Sequence, residues 1–193
     1  MARESELTAP DDGGLAALAR QGDRGAFAVL VRRHQDRVFR FLRRMLDSRD
    51  EAMDLTQDTF MKAYEALPAW RPQAQFGTWL LQIARNAALD QLRRRRLVEF
   101  VPVDQALTLA DAAPTPEQRL ATSRRLALLD RALAQLPAEH REVLLLREIE
   151  DLSYAEIAAV LDVAEGTVKS RLARARAALI AAHRHLTGEP GDE

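Results

Sequence analysis

Two groups of residues in this 193-residue sequence are equipped for chemistry. In the first, Trp70, Phe76 and Trp79 lie in and just after a proline-flanked stretch, beside Arg71, Arg85, Asn86 and the run Arg93-Arg94-Arg95-Arg96. Aromatic faces stack bases and guanidinium groups hold the backbone between them, so the chemistry on offer is capture of a single nucleic-acid strand. The same aromatics at a helix start more often serve as core. In the second group, no acidic residue occurs between Gly166 and His185, while Lys169, Arg171, Arg174, Arg176 and Arg184 are basic. Residues 139–165 just before it hold eight acids against Arg141 and Arg147. A short helix, a three-residue turn and a second helix, with small Ala158, Asp162 at the turn and apolar Val168, fit a helix-turn-helix, whose second helix enters a major groove. In that geometry Lys169, Ser170, Ala173 and Arg174 face base edges, Arg171 and Arg176 flank them toward phosphates, and Thr167 caps the helix or touches backbone. The competing reading is an ordinary helical hairpin whose basic last helix answers the helix dipole.

The elements that must carry these residues are helices throughout. Phe27, Leu30, Val31, Val38, Phe41, Leu42 and Met45 recur at helical steps, and His34 falls inside that stripe, which favours a satisfied core histidine over a ligand. A second helix is expected from about Glu51 to Leu67, ended by Pro68, with Leu55, Phe60 and Ala63 inward. On its outer side Asp54, Gln57, Asp58 and Met61 fall at i, i+3, i+4 and i+7, an acidic face with a methionine that a merely solvated surface would not need. After the loop, a third helix is expected from Thr78, taken as its N-cap, through Arg96, with Leu80, Ile83, Ala84 and Ala87 buried and Gln82, Asn86, Asp90 and Arg93 outward. Periodicity then fails over 97–122, prolines appear and the charge turns acidic, which reads as a linker. Helices follow over Arg124–Leu136, from Pro137 to about Glu150, from the capping-box pattern Ser153 to Glu156, and from Glu165 to about His185. Ala164 stands where a capping Ser or Thr would help most, at a cost of ~1 kcal/mol.

No strand pattern occurs, so the fold class is all-α: two small helical bundles joined by a flexible linker, the C-terminal one containing the helix-turn-helix. The expected domains are a disordered tail over 1–22, a first module over 23–96, the linker over 97–122, a second module over 123–186 and a C-terminal tail over 187–193. The formal net charge of -1 conceals a segregation, because residues 23–96 carry +15 against -9 while 97–122 carry +1 against -4. All but Lys62 and Lys169 of the 28 cations are arginine, which suits bidentate phosphate and base contacts but also follows from GC-rich coding. The absence of cysteine leaves no disulfide or thiolate site, and four scattered histidines offer little for zinc, so no metal, cofactor or catalytic residue is expected. The longest run of Val, Leu and Ile, Val143 to Leu146, is far short of the ~20 residues that cross a bilayer, and no leader pattern opens the chain, which points to a cytoplasmic protein without membrane insertion.

Four strings, in order, resemble bacterial extracytoplasmic-function (ECF) sigma factors. They are Asp54-Leu-Thr-Gln-Asp-Thr-Phe60; Phe76-Gly-Thr-Trp-Leu-Leu-Gln-Ile-Ala-Arg-Asn86 with Asp90 and the arginines after it; Leu136-Pro137 with Arg141-Glu-Val-Leu144; and Leu152-Ser-Tyr-Ala-Glu-Ile-Ala through Glu165-Gly-Thr-Val-Lys-Ser-Arg171. The resemblance spans roughly Asp23 to Leu186 and implies the minimal two-module form, with region 2-like and region 4-like domains and no enzyme activity. It implies that Asp54, Gln57, Asp58 and Met61 dock on bacterial core RNA polymerase, with Phe60 in the core. It implies that the loop 67–75 and the third helix, through Trp70, Arg71, Phe76, Trp79, Arg85, Asn86, Asp90, Arg93 and Arg94, capture the melted minus-ten strand of promoter DNA. The second module would read the minus-thirty-five duplex through Thr167, Lys169, Ser170, Arg171, Ala173, Arg174 and Arg176. A cognate anti-sigma factor is implied as a further partner. The alternative, a helix-turn-helix regulator binding an operator independently of polymerase, leaves Asp54 to Phe60 and the loop aromatics unexplained. A hydrolase built on Asp54 and Asp58 lacks a third ligand nearby in sequence.

Overall fold

The computed structural model describes residues 10–71, 75–98 and 116–188, and every regular element among them is helical. The first part contains α1 (Asp12–Arg20), α2 (Arg24–Met45), α3 (Arg49–Ala66) and α4 (Phe76–Val98); the second contains α5 (Pro116–Ala134), α6 (Ala138–Leu144), α7 (Tyr154–Leu161) and α8 (Glu165–Thr187). No described helix is long and apolar enough to cross a membrane.

Local chemistry sets most of the starts. Asp11, Asp23 and Ser48 each accept a hydrogen bond from the backbone N–H three residues on, at 2.8, 3.0 and 3.3 Å, each such cap stabilising by about 1 kcal/mol. The apolar stripe of α2 is buried at Leu30, Val38, Phe41, Leu42 and Met45. The carbonyls that follow are met by Arg43, whose Nη1 donates to the carbonyls of Leu46 and Asp47. The α3 helix gives way to a single 3-10 turn over Leu67–Ala69, where Pro68 can no longer continue the α ladder. A π-helical turn over Leu145–Ile149 extends α6, closed by the Glu150 N–H donating to the Leu145 carbonyl at 3.0 Å.

Several expectations are corrected here. The N-terminal tail is not wholly disordered, because residues 12–20 form α1, which buries Leu15, Ala16 and Ala19 against α2. His34, buried in α2, is held at 2.6 Å by Asp12 of α1, so the core histidine has its partner 22 residues upstream. Thr78 does not cap α4: the helix begins at Phe76, the Trp79 N–H bonds the Gln75 carbonyl, and the Thr78 hydroxyl is buried without a partner. The α4 helix runs on to Val98, and α5 starts at Pro116, a residue whose missing N–H costs nothing in a first helical turn. Pro137 serves as the N-cap of α6, and α8 continues to Thr187, closed by Gly188 in the left-handed region. The expected linker over 99–115 and the tails over 1–9 and 189–193 lie outside the described residues.

The two parts abut along a shared seam. Helix α4 packs on α7, α2 packs on α5 and α6, and one continuous apolar core runs from Leu15 to Ala175. The Arg141 guanidinium crosses the seam, donating to the Met45 carbonyl of α2 at 2.9 Å and to the Ala134 and Leu136 carbonyls of its own part.

The α1 contact generates a pH dependence. Burial alone would raise the Asp12 pKa, but hydrogen bonds from Arg33 and His34 outweigh it and hold the carboxyl below its ordinary 3.8. A depressed carboxyl contributes stability that is present above the unfolded value and lost as pH falls through the folded one. Asp12→Asn should therefore be less stable than wild type near neutrality, with the difference starting to shrink below about 3.8 and gone once pH lies beneath the lower, folded-state value. Urea midpoints across that range would check it, and a difference that persisted unchanged into acid would refute the assignment.

Candidate nucleic-acid interface

The start of α4 is built around close backbone approach. A Cβ on Gly77 would meet Arg37 Nη1 at 2.6 Å and His34 Cε1 at 3.2 Å, so a larger residue there would displace the Arg37 guanidinium and press on the His34 ring. That proximity gathers Trp70, Phe76 and Trp79 into one cluster, with ring centroids 5.6 to 6.3 Å apart. Within it Trp70 is 5% exposed and Phe76 2%, while Trp79 is half-buried. Of the three aromatics expected as stacking surfaces, Trp70 and Phe76 thus belong to the core in this conformation. Burial of apolar ring area outweighs presenting it to water. The Trp70 indole N–H is buried without a protein partner, and other atoms of Trp70 border an open cleft lined also by Asp12, Arg33, His34 and Gln75.

Along α4 the expected contact residues divide. Asn86, Asp90, Arg93 and Arg94 are exposed, with Arg93 bonded to Asp90 at 2.6 Å, and Arg71 is exposed in the preceding loop. Arg85 is not available as expected. Its Nε and Nη2 bond both oxygens of Glu142 at 2.7 and 3.1 Å, and Glu142, on α6, is 1% exposed. A buried carboxylate needs cations more than solvent-facing arginines need company. Arg95 is drawn to Glu51 of α3 instead of outward.

The helix-turn-helix is assembled as its spacing requires. Ser153 and Glu156 form the reciprocal capping box of α7, and Asp162 takes the left-handed conformation at φ 54° that turns the chain into α8. Asp151, also at positive φ, was not anticipated. Ala164 is the α8 N-cap and makes no side-chain bond. Val168, Leu172 and Ala175 are buried, which leaves Lys169, Ser170, Ala173 and Arg174 in an exposed row, with Thr167 half-buried beside it. Lys169 is steered by Tyr154, whose ring lies 5.7 Å from Nζ and 5.3 Å from the Arg147 guanidinium. Arg176 is paired with Glu148 at 2.7 Å, and Arg171 lies 3.9 Å from Glu142.

On α3, Asp54, Gln57, Asp58 and Met61 are all exposed, Met61 by 63%, while Phe60 is buried. The sequence reading missed Met53 and Tyr64, exposed on the same side one turn before and after, which add an apolar stripe to the acidic face. The signal was available: like Met61, both lie off the buried stripe. Arg85 of the α4 set and Arg171 of the α8 set are brought together through Glu142.

Comparison with known proteins gives two family matches: Sigma-70 region 2 over residues 30–98 and Sigma-70 region 4 over residues 126–179. The chain is 39% identical over 180 residues to the protein named ECF RNA polymerase sigma factor SigE of Mycolicibacterium smegmatis, covering 90% of this chain and 69% of the relative. It is 36% identical over 186 residues to the RNA polymerase sigma-H factor of Pseudomonas aeruginosa, covering 90% and 94%. Among solved structures it is similar to CnrH in complex with the cytosolic domain of CnrY, with TM-score 0.68 and 31% identity over 93% of this chain and 99% of that one. It is similar also to the sigma factor RpoE in complex with the anti-sigma factor NepR from Bartonella quintana, with TM-score 0.69 and 28% identity over 81% and 95%.

The sealed aromatics have a measurable consequence. Trp70→Ala should cost about 3–5 kcal/mol of folding stability, as removal of a buried ring does, and Trp79→Ala distinctly less. Urea denaturation measures both, and a loss for Trp70→Ala no larger than that for Trp79→Ala would show that the ring is not sealed.

Proposed function

Because the chain belongs to the ECF sigma factors, RNA polymerase subunits that recognise promoters and are not enzymes, we propose a division of that task among its three exposed surfaces. The α3 face of Asp54, Gln57, Asp58 and Met61, extended by Met53 and Tyr64, docks on core polymerase. Its mixture of carboxylates and apolar side chains supports this, since such a face suits a basic, partly apolar partner surface. Residues 23–96 act as the region 2 domain and 123–186 as the region 4 domain.

The observation that carries the duplex-reading role is the exposed row Lys169, Ser170, Ala173 and Arg174 on a helix propped by the Asp162 turn. Inserted in a major groove, Arg174 would fork onto a guanine edge, Ala173 would touch a thymine methyl, and Arg171 and Arg176 would hold phosphates. On the first domain, Trp79, Asn86, Arg93, Arg94 and Arg71 offer an aromatic face and cations to the melted minus-ten strand. Extruding a base costs a few kcal/mol, which stacking and phosphate contacts offset. The two weak contacts reinforce each other through tethering. An anti-sigma factor is the further partner we assign, on the ground that CnrH is solved with the cytosolic domain of CnrY and RpoE with NepR.

Mixed with bacterial core polymerase, the purified chain should give specific promoter-dependent transcripts; none from an active core would overturn the reading. Asp54→Arg with Asp58→Arg should abolish association with core at unchanged helicity, measured by co-elution, and retained association would place the contact on another face. Arg174→Ala should lose about 1–3 kcal/mol at one upstream base position, and a base preference identical to wild type would remove Arg174 from the readout.

A further inference from the structure

We propose that His34 is a positioning residue for strand capture: gripped by Asp12 of α1, its ring props the first turn of α4 and so sets the aromatic cluster from which Trp79 is offered to the melted strand. The inference rests on the assignment of Trp79 and α4 to the minus-ten strand, and it gives α1, which none of the three surfaces assigned above includes, a part in that task. The route starts at Asp12. Its Oδ2 lies 2.6 Å from His34 Nε2, and its Oδ1 accepts from Arg33 Nη1 at 2.9 Å, while the same Nη1 donates to the Pro10 carbonyl at 2.9 Å. The start of α1 is thus pinned to two successive residues of α2.

From His34 the route runs into α4. The buried His34 ring lies 5.5 Å from the Phe76 ring, and a Cβ on Gly77 would meet its Cε1 at 3.2 Å. It therefore supports the first two residues of α4 at once. Phe76 in turn meets Trp70 at 5.9 Å and Trp79 at 5.6 Å between ring centroids, and Trp79 follows one helical turn later, half-buried. Helix α1 also packs on α4 and on the 3-10 turn Leu67–Ala69 that leads into Trp70, so it touches the elements on both sides of the cluster.

Apolar filling alone does not hold this junction. Between the start of α1 and the start of α4 lies an open cleft of about 560 Å³, bordered by Asp12, Arg33, His34, Trp70, Gln75 and Phe76, so close packing cannot fix the spacing there. The Trp70 indole N–H has no partner among the described residues, which leaves the place of that ring to its neighbours. A charge-assisted hydrogen bond, by contrast, fixes both distance and direction. Loss of the Asp12 contact frees the imidazole edge to seek water in the cleft, and Phe76 and Trp79 lose the support beneath them.

Trp70 and Trp79 are the only tryptophans of the chain, so its tryptophan emission reports on this cluster alone. In the free full chain, Asp12→Asn should raise acrylamide quenching of that emission at unchanged helicity. A helix that merely added stability would lower the urea midpoint and leave the emission of the folded chain as it was. With core polymerase, on a promoter that the wild type transcribes, Asp12→Asn should open the DNA about ten-fold more slowly, the size of one lost charge-assisted hydrogen bond, read as permanganate reactivity of the unpaired thymines. Core association should match wild type, because the α3 face is untouched. His34→Gln should behave alike, and the two substitutions together should cost no more than either alone. Should His34→Gln lose helicity, Asp12→Asn alone decides, since that half-buried side chain lies at the end of α1 and empties no core. Unchanged quenching in folded Asp12→Asn, opening at the wild-type rate, or additive losses overturn the route. A wild type that gives no transcripts from an active core counts against the sigma assignment, whereas wild-type transcripts beside a variant that opens DNA normally count against the positioning role of His34 alone.

Discussion

Two successive residues of one short helix hold this molecule in its observed shape. Arg141 reaches across to the last carbonyl of α2, while Glu142 reaches arginines on α4 and α8. Both side chains are nearly sealed from water, and burial pushes the Arg141 pKa below its ordinary value, a sign of how little solvent the guanidinium retains. Removing one partner from a buried ion pair costs about 3–5 kcal/mol, a large fraction of the stability of any small domain. Helices α2, α4 and α8 are thereby positioned by the polar demands of α6 as much as by the apolar seam around it. The residues proposed to read promoter DNA inherit their relative placement from that junction.

The arrangement separates surfaces by what they need. A helix proposed to read duplex must stand clear of its own bundle, and α8 does so because Val168, Leu172 and Ala175 anchor one side while the Asp162 turn tilts the other outward. A face that docks on a large partner must tolerate water before it docks, and α3 does so by interleaving Asp54, Gln57 and Asp58 with Met53, Met61 and Tyr64. A surface that captures melted strand has no such freedom, because aromatics and arginines left in water are also drawn to any apolar core or carboxylate nearby. Here Trp70 and Phe76 went to the core and Arg85 to Glu142, leaving Trp79, Asn86 and Arg93 on the open side.

Much of the fold was legible because its signals are short-range. The α2 stripe, the Ser153 to Glu156 capping box, the Asp162 turn and the uncapped Ala164 all depend on residues within a turn or two of each other, and all stand as read. The failures share the opposite property. Helix α1 is only nine residues, with Gly13 and Gly14 in its first turn lowering its intrinsic helix propensity. It exists because Leu15, Ala16 and Ala19 are buried on α2 and because Asp12 finds Arg33 and His34. The start of α4 at Phe76, ahead of the cap expected at Thr78, goes with the packing of Phe76 on Trp70 and His34.

Read as a string, then, the chain already specified an all-helical polymer with a helix-turn-helix near its end, an outward acidic face on one helix and a basic row on another. Periodicity, caps and the four sigma-like motifs are local properties that survive whatever packs against them. Which arginines remain free to meet DNA was decided only by the tertiary structure. Arg85 and Glu142 are separated by 57 residues, and Arg37 and Glu150 by 113. A guanidinium carries the same charge in either role, so its fate depends on which carboxylate the fold brings within about 3 Å and how much water it excludes there.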